Sequence, residues 1–210
     1  MSTAQDEAIA LLRRVDSGQV SDAMEEAGLS RSVLLSFRRF GAGMRPMVGP
    51  AFTMRQVRKP PGTPRDERRV RQLDVSSKLA QPGDVVVVAT GATHDVATWG
   101  ENHALRCRQR AVEGMLTDGA VRDAGAIDRS SFPVFCRALS PVKSLWDLET
   151  AEIGGAVSID GVIVNPGDVV FADETGILVI PAASLIQTAE RAHRIKNVEE
   201  ARQGNLRQPG

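Results

Sequence analysis

The chain has 210 residues, 42% of them hydrophobic, which suffices for a buried core and favours one domain over 1–210 with terminal extensions. Basic and acidic side chains balance at 26 each, leaving no electrostatic footprint for nucleic acid or a membrane surface. Cys107 and Cys136 are too few for a disulfide framework or a zinc site, Met1 to Arg14 lacks the apolar core of a signal peptide, and no apolar run reaches membrane-span length, so a soluble cytoplasmic protein is expected.

Apolar spacing through Ile9, Leu12 and Val15 predicts a first helix over Ala4 to Val15, and a second runs from Ser21, a capping residue type, to Ala27 before Gly28. Ala51 to Val57 reads as a strand. Lys59 to Arg65 holds three prolines and a glycine and is a loop, opening an Arg-rich segment whose acidic members, Asp66 and Glu67, mark a solvated face up to Arg71. Helical spacing returns over Val70 to Ala80. Val85 to Ala89 is a continuous apolar strand of the kind buried on both faces. Glu101 to Val112 is a helix with Ala104, Leu105, Arg108, Ala111 and Val112 on one side, and Cys107 inside it is read as core. Met115 to Thr117 is a strand, Asp123 to Asp128 a helical turn and Pro133 to Cys136 a strand. That alternation implies parallel pairing with right-handed crossovers.

The last third is antiparallel in character. Ala156 to Ile159 and Val162 to Val164 flank an Asp-Gly hairpin turn, Val169 to Ala172 and Ile177 to Ile180 are two further strands, and Ser184 to Arg202 (about 183–203 with its ends) is a charged closing helix. Pro-Gly-Asp precedes two valines at 82–86 and again at 166–170, as type II turns that launch strands. The fold class is α/β, with parallel βαβ units sandwiched against antiparallel hairpins.

Twenty residues separate Glu101, at a helix start, from Arg122-Asp123, just past a strand. If the strands before them are neighbours in a parallel sheet, both open at the edge where open α/β sheets bind ligands. The backbone amides of Gly100, Glu101, Asn102 and His103 then offer unpaired donors for a carboxylate. Alternatively, Glu101 only sits well against its own helix dipole. Arg122 is a rigid fork for a carboxylate or enolate oxygen, and Asp123 a hard oxygen ligand for Mg²⁺ or Mn²⁺; alternatively Asp123 caps the next helical turn and Arg122 points to solvent. The three histidines, His94, His103 and His193, have no ligand spacing. Gly91-Ala-Thr-His94 lacks the pattern that cradles a pyrophosphate, and no nucleophile elbow occurs.

Val20-Ser-Asp-Ala23, Pro82-Gly-Asp-Val-Val86, Trp99-Gly-Glu101, Thr117-Asp-Gly-Ala-Val-Arg-Asp123, Pro133-Val-Phe135 and Pro166-Gly-Asp through Ala172-Asp173, Gly176 and Pro181 occur in one order over most of the chain. In that order the sequence resembles the RraA-like family, and the carboxylate, twenty residues, then Arg-Asp resemble its branch of 4-hydroxy-4-methyl-2-oxoglutarate aldolases and oxaloacetate decarboxylases. The resemblance implies an α/β/β sandwich, swivelling-domain-like, assembled as a homotrimer or homohexamer with sites between subunits. It implies a divalent cation, Mg²⁺ or Mn²⁺, on Asp123 as the sole direct protein ligand. Arg122 would bind the pyruvoyl unit, the Gly100 to His103 amides its carboxylate, and Glu101 a water on the metal that exchanges protons with substrate. Glu199 or Glu200 of a neighbouring subunit would complete the site. The resembling aldolases often carry Asp where this chain has Glu101, and the 59–71 segment matches no family pattern. A Schiff base is not expected, since no lysine stands near these motifs in the sequence.

The same resemblance admits an alternative, a non-enzymatic regulator that binds an RNA-degrading endonuclease; those members lack a carboxylate at the position of Glu101. A methyltransferase label also occurs in the family, against which stands the missing glycine-rich cofactor loop.

Overall fold

The computed structural model describes residues 3–206 except 42, 44, 65, 66 and 68, so Arg65, Asp66 and Arg68 of the Arg-rich segment lie outside the described residues. Helix α1 (Thr3–Leu12) buries Ala8, Ile9 and Leu12, and Val15 follows it as a buried turn residue. Helix α2 is Ser17–Glu26, starting four residues before the predicted Ser21. Its true start is written in Asp16. The Asp16 carboxylate accepts the Gln19 amide at 2.9 Å and the Gln19 side chain accepts the Asp16 amide at 3.1 Å, a reciprocal box that satisfies two helix-start donors.

Strands β1 (Val33–Leu34) and β2 (Arg38–Phe40) precede the longest strand, β3 (Met47–Arg58). The helix expected over Val70 to Ala80 is shorter and wider: α3 (Gln72–Asp74) runs into a π-helical turn, Val75–Leu79. Then come β4 (Val85–Ala89), β5 (Ala97–Trp99), α4 (Glu101–Gln109), β6 (Gly114–Val121), α5 (Ala124–Ser130) and β7 (Val134–Leu139). The chain closes with β8 (Leu148–Ile153), β9 (Val157–Ile159), β10 (Val162–Val164), β11 (Val169–Ala172), β12 (Ile177–Ile180) and α6 (Leu185–Leu206). None of the described helices is long and apolar enough to cross a membrane.

Among the described residues ten strands share one sheet, in the order β1-β12-β11-β3-β4-β6-β7-β2, with β5 beside β6 and β8 beside β3. Strands β3, β4, β6 and β7 run parallel, as the strand–helix alternation requires. Every residue of β4 and β6 is buried, the burial that a continuous valine run anticipates. The C-terminal strands β11 and β12 do not form a separate hairpin layer. They pair with each other antiparallel and extend the same sheet through β11 on β3, so only β9 and β10 make a free hairpin. The sheet curls. Val170 and Val179 from one end share a single core with Leu116 and Phe135 from the other, filled by Ile159 and Val164 of the hairpin.

Two outer cores complete this mixed α/β fold. Helices α1, α2 and α6 pack on β11 and β12, while α4, α5 and the π-helical turn pack on β3, β4, β6 and β7. Helix α4 buries Ala104 and Cys107, whereas Leu105 is 37% exposed and Arg108 and Ala111 face solvent. Of the predicted face Ala104 and Val112 are buried; the helix stops at Gln109 and Ala111 turns left-handed, φ 55°, which takes Ala111 out of its register.

Both Pro-Gly-Asp triplets are type II turns. Gly83 and Gly167 have φ of 86° and 87°, and the Asp84 and Asp168 amides each donate to the carbonyl three residues back at 3.1 Å. The first turn lies directly on β3: a Cβ at Gly49 would overlap the Gly83 carbonyl oxygen. Backbone cannot retreat from there without moving β4. Gly49→Ala is therefore expected to lower unfolding stability by about 3 kcal/mol in urea titrations, and an unchanged midpoint would contradict this packing.

Candidate active site

Strands β5 and β6 run parallel, Ala97 beside Ala120 and Trp99 beside Val121. At their shared C-terminal edge the chain leaves β5 through Gly100 into α4, and leaves β6 through Arg122-Asp123 into α5. The Arg122 amide donates to the Trp99 carbonyl at 3.0 Å, a backbone bond that ties the two exits together. The neighbouring parallel strands that the sequence argument required are present twice over, as β4 and as β5, both on β6. Periodicity could not find β5, since Ala-Thr-Trp is too short to show any.

Gly100 is extended, φ −161° and ψ −178°, a conformation open to any residue. It is glycine because of what lies over it. A Cβ there would stand 2.8 Å from Asp123 Oδ2 and 2.9 Å from Arg122 Cγ, so both side chains close over the helix start only when no side chain intervenes. The Glu101 amide donates to Asp123 Oδ2 at 3.3 Å, and Arg122 Nε lies 3.5 Å from the same oxygen. The Glu101 amide has no intrahelical acceptor and looks onto a fixed cation and a carboxylate, whereas the His103 amide donates back to the Gly100 carbonyl at 3.1 Å.

Asp123 adopts the left-handed conformation, φ 58° and ψ 33°, which Asp tolerates at a cost on the order of 1 kcal/mol. Its carbonyl accepts the Ala126 and Ile127 amides and so begins α5, but its side chain makes no capping bond to that helix. The capping reading therefore fails. The carboxylate turns back towards α4 and keeps 40% of its side-chain surface open, with Arg122 at 39%. Among the described residues no three His, Cys, Asp or Glu side chains cluster as a metal cage. Asp123 is thus one accessible hard-oxygen ligand, already ion-paired with Arg122 at 3.5 Å, of the kind that would be the single protein contact of a divalent cation retaining most of its waters.

A cavity of about 400 Å³ opens between α3, β5, the start of α4 and residues 143–145. Arg122, Gly100, Asn102 and His103 line it, joined by Arg106 and Lys143. Its charged walls among the described residues are all cationic, which favours an anionic ligand. Arg122 also walls a second hollow of about 300 Å³, shared with Asp123, Leu139 and Pro141. It therefore stands between an anion-attracting chamber and the carboxylate.

Lys143 corrects the expectation that no lysine is near. The Ala97 amide donates to the Val142 carbonyl at 2.7 Å and Ala97 bridges Lys143 in parallel, which brings the segment after β7 back beside β5. Nothing in the local sequence signals that return. Sequence reading also missed the floor, where buried Gln72 donates to Ser144 Oγ at 2.9 Å and to the Thr98 carbonyl at 3.3 Å. Asp118 of the Asp-Gly pair is structural: buried, it accepts the Thr90 amide at 2.6 Å and the Ala92 amide at 3.0 Å, fixing the turn after β4. Cys107 and Cys136 are buried, and burial pushes both thiols up to about 12, so neither is a nucleophile. Glu199 and Glu200 belong to α6, bonded to Gln19 at 2.7 Å and paired with Lys196 at 3.6 Å; within one chain neither lines the cavity.

A family model described as "RraA-like: Aldolase/RraA" matches residues 17–179, a span that holds Gly100, Glu101, Arg122 and Asp123 and ends before Glu199. Protein DlpA of Legionella pneumophila is 29% identical over 187 residues, 88% of this chain but 29% of that protein. A putative 4-hydroxy-4-methyl-2-oxoglutarate aldolase of Halalkalibacterium halodurans is 30% identical over 124 residues, 59% of each. The chain thus spans less than two thirds of either relative. The crystal structure of Streptomyces coelicolor RraAS2, described as an unusual member of the RNase ES inhibitor RraA protein family, matches with a TM-score of 0.81 at 26% identity, covering 94% of this chain and 96% of its own.

His103 is the titrating group most altered by the site. Burial, then the charges of Arg106 and Arg122, push its imidazole down to about 4. In the unfolded chain it takes up a proton near its ordinary value of about 6.5. Between those values the unfolded state binds more protons, so this contribution to stability is complete above about 6.5 and declines as pH falls towards 4. In NMR titrations the ring is expected to remain neutral at pH 5.5, and His103→Gln to flatten that part of the stability profile. A His103 midpoint near 6.5 in the folded protein would contradict the burial seen here.

Proposed function

Since the chain belongs to the RraA-like family, we propose that it is a divalent-metal-dependent carbon–carbon lyase, a pyruvate aldolase acting on a 4-hydroxy-2-oxo acid such as 4-hydroxy-4-methyl-2-oxoglutarate, with accompanying oxaloacetate decarboxylation. One observation carries the reading: across the bare Cα of Gly100, the Arg122 fork and the uncapped Asp123 carboxylate meet the open start of α4. A regulator that binds another protein has no need of that convergence at a cavity mouth.

The amides of Gly100, Glu101 and Asn102 bind the substrate carboxylate, as helix starts bind anions generally, while the His103 amide, also expected there, is already held by the Gly100 carbonyl at 3.1 Å. Arg122 takes the 2-oxo oxygen. As the C3–C4 bond breaks, the C4 hydroxyl gives its proton through an intervening water to the Glu101 carboxylate and becomes a carbonyl, and the bonding pair moves into the pyruvoyl unit as an enolate. The charge then developing on oxygen meets the guanidinium already in place. Asp123 would hold the Mg²⁺ or Mn²⁺, which supplies further positive charge to that oxygen when bound. Glu101, first residue of α4, delivers a proton to the enolate carbon through an intervening water, giving pyruvate. Loss of CO₂ from oxaloacetate yields the same enolate, and the same groups serve it. The protein assembles as a homotrimer or homohexamer, in which Glu199 or Glu200 from a neighbour reaches this site.

The reading is tested by pyruvate release from both substrates with and without Mg²⁺ or Mn²⁺. Metal-dependent turnover of both is expected. Asp123→Ala is expected to lose that turnover with unchanged thermal unfolding, and Arg122→Lys to lower kcat and raise KM together, since the fork is lost while the charge remains. Borohydride added with pyruvate distinguishes the Lys143 route: no covalent adduct is expected, and a trapped imine on Lys143 would replace the enolate scheme by a Schiff-base one. Asp123→Ala at parental activity under saturating Mg²⁺ would remove the metal assignment. No pyruvate release under any condition would favour the endonuclease-binding regulator.

A further inference from the structure

The cavity has a polar floor that the lyase scheme leaves unused. Gln72, Thr98 and Ser144 line the cavity and are buried, as is Gln56 of β3. Gln72 Nε2 donates to the Thr98 carbonyl at 3.3 Å and to Ser144 Oγ at 2.9 Å. A carbonyl can only accept, so the Gln72 amide group has one orientation, its N–H towards Thr98. The Thr98 hydroxyl in turn donates to Gln56 Oε1. One buried side chain thus joins three pieces of chain: α3, which carries it, β5 through Thr98, and the stretch after β7 through Ser144. Its own position is fixed by β8. The Arg71 amide donates to Thr150 Oγ1 at 3.0 Å, and the Thr150 amide donates to the Arg69 carbonyl at 2.9 Å. The segment that matches no family pattern therefore ends on anchored backbone and delivers Gln72 to the cavity.

What Gln72 holds is the spacing of the site. Thr98 precedes Trp99, whose carbonyl accepts the Arg122 amide at 3.0 Å, and then Gly100, over which Arg122 and Asp123 close. Strand β5 has three residues, paired with β6 and bridged to Lys143 at Ala97. So short a strand makes few ladder bonds of its own, and side-chain bonds carry more of its position. Ser144 follows Lys143, one of the cations in the cavity wall. We propose that Gln72 is a positioning residue of the active site. Through Thr98 it fixes β5, and with it the contact of Gly100 and Arg122; through Ser144 it fixes the wall of Lys143, Ser144 and Leu145 against that strand. It touches no reacting atom. Small misplacements of groups that meet the substrate lose rate steeply, and a buried amide with its donors unpaired is costly, so the floor has one arrangement to keep. This rests on the pyruvate-lyase reading given above.

The test measures kcat and KM for oxaloacetate in the full chain with Mg²⁺, beside thermal unfolding. Gln72→Met keeps the side chain's length and removes both donors; kcat is expected to fall and KM to rise, lowering kcat/KM about tenfold or more. Ser144→Ala removes the wall bond alone and is expected mainly to raise KM, and Ser144→Thr, which keeps the acceptor oxygen, to recover most of that loss. Because Gln72→Met already removes the bond to Ser144, the double variant is expected to match Gln72→Met instead of multiplying the two losses. Multiplied losses would overturn the proposal, as would parental constants in Gln72→Met. A lowered unfolding temperature with unchanged kcat/KM would make Gln72 merely structural. Should Gln72→Met not fold, the Ser144 pair decides, and equal constants in Ser144→Ala and Ser144→Thr would count against the proposal. An oxaloacetate-active parent with any of these contrary results loses only the positioning role. A parent inactive on oxaloacetate and 4-hydroxy-4-methyl-2-oxoglutarate alike loses the lyase reading and this inference with it.

Discussion

The missing side chain at Gly100 is the constraint on which the site depends. Two parallel strands end side by side, and the Arg122 and Asp123 side chains lie close over the exit of β5 because no Cβ at position 100 stands in their way. The backbone bond from Arg122 to Trp99 sets the spacing, and the left-handed turn at Asp123 then aims its carboxylate away from its own helix and towards its neighbour's. Strain of this kind persists where the surroundings over-determine it, and here buried strand β6 on one side and α5 on the other do so. Local rules would have spent Asp123 on capping α5, and the fold does not.

From that convergence the electrostatics follow. Arg122 is the shared wall of two hollows, one bounded by arginines and a lysine, the other by Asp123 and apolar side chains. An anionic ligand entering the cationic chamber is attracted by its arginines and lysine and meets the planar Arg122 donor at its wall. Depressing the His103 imidazole keeps one wall of that chamber uncharged, so recognition there is not by charge alone.

Much of this was legible in the sequence because it is carried by short, strong local signals. The valines of β4, the Asp-Gly hairpin turn and both Pro-Gly-Asp turns stand where periodicity and turn chemistry set them. The Glu101 amide and Asp123 meet as the spacing between strand ends suggested. What escaped was non-local. Helix α2 begins at Asp16 because a side chain three residues on completes its box, and β11 and β12 join the main sheet because β3 offers them an edge. Lys143 and Gln72 reach the cavity through pairings with β5, a strand too short to announce itself. The RraA-like resemblance supplied roles for the converging residues. The geometry supplied the reason that glycine suits position 100, and it also left Glu199 bonded to Gln19 of α2 and Glu200 paired with Lys196 of its own helix.

The central claim is that this edge forms and reprotonates a pyruvate enolate, with Glu101 as the group that carries the proton. Exchange of the pyruvate methyl protons in D₂O isolates that step, since it needs enolate formation and no carbon–carbon chemistry. With Mg²⁺ present, the parent protein is expected to exchange them, Glu101→Asp to retain most of the rate, and Glu101→Gln to lose on the order of 10²-fold. Exchange in Glu101→Gln as fast as in the parent would reduce Glu101 to a helix-start residue and contradict the account.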